Sequence, residues 1–107
     1  MPAQKRANTK YAANGIVISP DHPAKGETVR LVYNGLLSGA GAQKLYVHFG
    51  FGDNWDKPLD YRMVRTQAGF EASLPVASDD TLRVCFRDSA SNWDNNNGQD
   101  YSFDVVD

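Results

Sequence analysis

Leu45-Tyr46-Val47-His48-Phe49-Gly50-Phe51 is the run on which the fold turns. Leu45, Val47, Phe49 and Phe51 alternate with Tyr46, His48 and Gly50, the two-residue period of a strand with one buried face. The same pattern recurs on both sides. Upstream, Ile16-Val17-Ile18 reads as a short strand closed by Ser19-Pro20-Asp21-His22-Pro23, and Thr28 to Tyr33 as a second with Val29, Leu31 and Tyr33 on one face. Asn34-Gly35 ends it, and the glycine-rich segment to Gly41 is expected to be a connecting loop. Downstream, Tyr61 to Val64 and Phe70 to Leu74 flank an expected turn at Gln67-Ala68-Gly69. Leu82 to Arg87 puts Leu82, Val84 and Phe86 opposite Arg83, Cys85 and Arg87, and Tyr101 to Val105 closes the domain. No segment shows a helical period over a dozen residues.

About seven short strands, each with one apolar face, predict an all-β chain folded as an immunoglobulin-like antiparallel β-sandwich. Composition agrees. Among 107 residues there are 11 Asp but 2 Glu, and with 8 Asn, 9 Gly and 5 Pro the turn formers reach 33, a set that stops helices. Leu, Ile, Val and Phe number 23, so the aliphatic core is thin and the aromatic rings must supply much of the buried area. The first 13 residues carry Lys5, Arg6 and Lys10 without an apolar stretch and are expected to form a flexible arm or linker, with Tyr11 packing; residues 14–107 are the expected domain. A secretory signal needs an apolar segment of roughly 7–15 residues. Its absence implies a cytoplasmic chain if this is the whole protein, and an extracellular one if it is a module excised from a secreted enzyme.

The balance of 11 basic against 13 acidic residues, a net charge of -2, argues against nucleic acid and against a polybasic membrane anchor. No apolar run approaches the roughly 18 residues of a membrane-spanning helix. The lone Cys85 has no internal disulfide partner. Catalytic signatures are missing too: there is no Gly-x-Ser-x-Gly elbow, no phosphate-binding glycine motif and no His-Glu-x-x-His pair. A glycosidase needs two opposed carboxylates, and a domain this small has little room for the cleft between them. The chain is therefore expected not to be an enzyme. His22 lies between two loop prolines' surroundings and Cys85 on another strand, so no metal set forms around His48. Asp94 to Asp100 fails the calcium-loop register, because Gly98 at position six puts Trp93 at position one. No metal or other cofactor is implied, and Asn97-Gly98 reads as a plain turn.

What remains is an internal echo. Asp53-Asn54-Trp55-Asp56 and Ser91-Asn92-Trp93-Asp94 each present Asn-Trp-Asp in a polar, turn-rich setting, and these are the two tryptophans of the chain. An indole among amides and carboxylates suits a sugar, whose C–H face lies on the ring while flanking polar groups reach its hydroxyls. His48 lies seven positions before Trp55, on the strand face away from Val47 and Phe49, where it can stand beside the indole as a donor and acceptor. Asn95 and Asn96 add amides for sugar hydroxyls. The competing reading is a structural or protein-interaction sandwich of immunoglobulin or fibronectin kind with both tryptophans buried. Arg83 and Arg87 on one strand face read as a solvated face rather than a phosphate-binding patch.

Leu45 to Gly50, Asn54-Trp55, Phe86-Arg87-Asp88 and the stretch Asn92-Trp93-Asp94-Asn95-Asn96-Asn97-Gly98 before Tyr101 together resemble the starch-binding carbohydrate-binding modules of family 25 and their close relatives, the family 53 modules of plant starch synthases. The likeness runs over roughly residues 14 to 106. It implies non-catalytic binding of α-1,4-glucans such as starch, glycogen and maltooligosaccharides, and association with a starch- or glycogen-acting enzyme. It further implies that His48, Trp55 and Trp93 form the sugar platform and that Asn95 donates to hydroxyls.

Overall fold

The computed structural model describes residues 10–106. Two antiparallel sheets face each other as a sandwich. The first has the order β1 (Ile16–Ser19), β2 (Thr28–Tyr33), β6 (Gly69–Pro75), β5 (Val64–Thr66). The second runs β4 (Asp56–Arg62), β3 (Leu45–Phe51), β7 (Leu82–Asp88), and β7 also pairs with both β8 (Trp93–Asp94) and β9 (Tyr101–Phe103). The all-β sandwich expected from alternation is the fold observed.

Period-two patterning explains the core. Ile16 and Ile18, then Val29, Leu31 and Tyr33, face Leu45, Val47, Phe49 and Phe51 and the inward side chains of β7, all buried. Tyr33 stacks on Phe86 with ring centres 4.1 Å apart, and Tyr101 lies 6.0 Å from the same Phe86 ring. Such contacts add roughly 0.5–1.5 kcal/mol each beyond the area they bury. Aromatic rings thus compensate for a thin aliphatic core. Of the expected arm, residues 1–9 lie outside the described residues. Tyr11 packs edge-on against Tyr101 and Phe103 at 4.9 and 5.4 Å, and its hydroxyl accepts the Ser102 N–H at 3.2 Å.

Three expectations need correction. The expected strand Tyr61 to Val64 is the junction of two strands in different sheets: β4 ends at Arg62, buried Met63 crosses the sandwich, and β5 begins at Val64. β4 escaped notice because it is an edge strand exposed at every position but Tyr61, and it carries Pro58, which an edge tolerates. The loop after Asn34 contains one helical turn, α1 (Leu36–Gly39), whose Leu37 is buried and donates its N–H to the Tyr33 hydroxyl at 3.0 Å. Finally, the closing strand expected over Tyr101 to Val105 is β9, which ends at Phe103, and Trp93-Asp94 forms a two-residue strand within the turn-rich stretch.

Candidate functional site

The candidate site lies on the outward face of the five-stranded sheet. Register fixes which residues share that face. His48 on β3 stands opposite Asp60 on β4 and Cys85 on β7; Tyr46 stands opposite Arg62 and Arg87; Arg87 stands opposite Trp93 on β8. Alternation then sends Asp94 inward beside Phe86.

Two turns deliver the indoles. β3 and β4 lose register between Phe49 and Phe51, and in the turn that follows Trp55 takes φ 53, a left-handed conformation costing roughly 1–2 kcal/mol in a residue with a side chain. That turn folds Trp55 back over Gly50, where an added Cβ would lie 3.0 Å from the indole and 3.2 Å from the Trp55 backbone. Arg83 fastens the same turn, donating to the Gly52 carbonyl at 3.0 Å and to Asp53 at 2.6 Å. On the other side, Asp88 accepts the N–H groups of Ala90 and Asn92 and the Asn92 amide, each at 2.9 Å, closing the turn that leads into Trp93. These bonds, the Asn92 side chain foremost, hold the Asp88 carboxyl below the usual carboxylate range. Among the described residues, the non-glycines at positive φ are Trp55, Ser91, Asn96, Asn97 and Asp100, which fall in these turns or in the 95–100 loop, and Lys57 near the start of β4. Sparsely populated backbone conformations thus gather in the segments around the candidate site.

The three rings meet. His48 stacks on Trp55 with centres 5.3 Å apart and 19° between planes, and Trp93 meets the imidazole edge-on at 6.4 Å and 89°. The indoles therefore present two faces set at a steep angle about one histidine. Trp93 is 47% exposed and Trp55 half-buried, and neither belongs to the core cluster, which removes the reading in which both are core residues. Asp60 lies 3.7 Å from His48 Nδ1 and accepts a bond from Arg87 at 2.7 Å. Arg87 lies over Tyr46, 4.2 Å from the ring centre. Both arginines of β7 are part-exposed on this face, each held by a carboxylate. Burial, with Asp100, Asp60 and Asp94 nearby, pushes the Cys85 thiol up to about 12, so it is no nucleophile at neutral pH.

The two candidate asparagines serve the loop. Asn95 is exposed, and its side-chain oxygen accepts the Gly98 N–H at 2.9 Å, a bond that does not consume its amide donors. Asn96 spends its amide on the Asp100 carbonyl at 3.1 Å and lines a cleft with Ala12, Asn14, Asn34 and Leu36. His48, Trp55 and Trp93 are brought together; Asn96 is turned to a different surface.

Asp94 anchors the site from below. It is buried and accepts the hydroxyls of Tyr33 at 2.6 Å and Tyr101 at 2.8 Å. Burial and then the Asp94 bond hold both phenols above the ordinary tyrosine range. Asp60, Arg87, Gly50 and the core role of Asp94 were missed in the sequence. Recognising β4 would have set Asp60 opposite His48. Among the described residues no group of three His, Cys, Asp or Glu side chains could hold a metal ion.

A family model described as a starch/carbohydrate-binding module (family 53) matches residues 29–86, from β2 into β7, and so includes His48 and Trp55. An alpha-amylase of Clostridium acetobutylicum is 33% identical over 82 residues, covering 75% of this chain and 10% of that protein. The chain thus spans about a tenth of the length of the curated relative it matches. No solved structure matches it.

Proposed function

The chain belongs to the family 53 starch/carbohydrate-binding modules, and from that premise we propose that it binds α-1,4-glucans (starch, glycogen and maltooligosaccharides) without cleaving them, on the surface formed by Trp55, His48 and Trp93. The observation that carries this reading is the imidazole shared by two indoles at 19° and 89°. A helical α-glucan turns each glucose relative to the last, and an angled pair of ring faces suits that curvature where a flat strip would suit a straight chain. The Asn95 amide reaches sugar hydroxyls, and Asn96 contributes by holding the loop. Residues 14–107 form the binding unit, and its place is beside a starch- or glycogen-acting enzyme, which it would keep close to insoluble substrate. A neutral ligand agrees with a net charge of -2.

Stacking on two or three rings at ~1 kcal/mol each, with a few hydrogen bonds in competition with water, gives an affinity in the roughly micromolar to millimolar range. Titration with maltoheptaose should change tryptophan fluorescence, and amylose in a native gel should retard the protein. Trp55→Ala and Trp93→Ala should each abolish retardation with little loss of stability. A wild-type protein that shows neither effect would refute the proposal.

A further inference from the structure

The outward face of the five-stranded sheet continues past the three rings. Two residues along β3 from His48 is Tyr46, paired with Arg87, which is paired in turn with Trp93. The Arg87 side chain reaches across β3: its guanidinium lies over the Tyr46 ring at 4.2 Å and donates to Asp60 on β4 at 2.7 Å. The second Asp60 oxygen stands 3.7 Å from His48 Nδ1. One carboxylate therefore ties the guanidinium to the ring platform.

We propose that Arg87, backed by Tyr46, is a further subsite of the glucan site, binding the hydroxyls of a glucose unit beyond those stacked on the indoles and so setting the preferred chain length. This rests on the α-glucan reading above. The chemistry is that of a planar donor fork. A guanidinium offers five N–H donors, its bond to Asp60 leaves others, and vicinal sugar hydroxyls can accept two of them side by side. The sugar needs no charge to accept these bonds. The side chain is 29% exposed, and with a ring beneath it and a carboxylate beside it, much of the entropy of ordering a long arginine is lost before any ligand arrives. An ion pair as exposed as this one adds little to folding stability, so its fixed geometry matters more for recognition than for the fold. The other arginine of β7 is committed differently: Arg83 holds the Trp55 turn through Gly52 and Asp53.

The test is calorimetry with maltotriose and maltoheptaose on the wild type and Arg87→Ala. The wild type should bind the longer ligand more tightly. Arg87→Ala should lower maltoheptaose affinity roughly three- to tenfold, the scale of one or two solvent-competed hydrogen bonds, and change maltotriose affinity less than about twofold. Equal losses on both ligands would make Arg87 a positioning residue for His48 and overturn the subsite, as would no loss on either. If the alanine variant loses its circular dichroism spectrum, Arg87→Gln, which keeps most of the stem over Tyr46, is read by the same comparison. A wild type that binds neither sugar refutes the α-glucan reading itself, a result distinct from loss of the chain-length effect alone.

Discussion

Trp55 rests on Gly50: a Cβ at position 50 would lie 3.0 Å from the indole and 3.2 Å from the Trp55 backbone, tighter than most packed contacts. A side chain at position 50 would have to push the Trp55 turn outward by a few tenths of an ångström. Gly50→Ala is expected to cost about 1–3 kcal/mol of stability through overpacking and to weaken glucan binding about tenfold by displacing one platform. Urea unfolding and calorimetry with maltoheptaose measure the two effects separately.

Asp94 is the internal counterpart of the site. Removing its carboxylate leaves two buried phenol hydroxyls, on Tyr33 and Tyr101, without their acceptor. At about 1–3 kcal/mol for each unsatisfied group, Asp94→Ala should lower stability by roughly 2–6 kcal/mol, measured by urea unfolding. A loss below 0.5 kcal/mol, on the order of a neutral surface change, would refute the anchoring role.

The turn closed by Asp88 gives an acid-side prediction. Its folded pKa is depressed, chiefly by the Asn92 side chain. Its stabilising contribution is therefore present above the ordinary aspartate value of about 4 and is lost as pH falls through the lower folded value. Asp88→Ala should weaken glucan binding at pH 7 by loosening Trp93, and the gap between variant and wild type should close as the pH is lowered through that window. Fluorescence titrations at a series of pH values measure it.

Alkaline behaviour follows from buried neutral groups. Tyr33 and Tyr101 have raised pKa values, so the stability they contribute is full below the ordinary tyrosine value of about 10 and is lost as pH rises beyond it. Ultraviolet titration should show two tyrosines ionising only as the protein unfolds. Cys85, at about 12 through burial, should react with a thiol reagent at pH 8 at least ~100-fold more slowly than in denaturant, because so little thiolate is present.

Much of this molecule was legible in its sequence, and the exceptions have physical causes. Strands β2, β3 and β7 have one face buried and one open, so their alternation revealed both the core and the outward position of His48. β4 has no buried face to alternate with, and without it Asp60 had no visible relation to His48. The Asn-Trp-Asp echo located both indoles but implied an equivalence the fold does not keep. Trp55 occupies a left-handed turn before an exposed Asp56, while Trp93 sits in a strand before a buried Asp94. Two identical tripeptides reach one site by different backbones because the surrounding turns, Asp88 to Asn92 and Phe51 to Trp55, decide their paths.

Trp93 and Asp94 are neighbours on β8 that face opposite ways, one toward solvent and one toward Tyr33 and Tyr101. The unit of transplantation is consequently larger than the exposed rings. A designer who moved Trp93 onto another sandwich would also have to carry Asp94 and its two tyrosines, since that internal trio fixes the rail on which the indole is mounted.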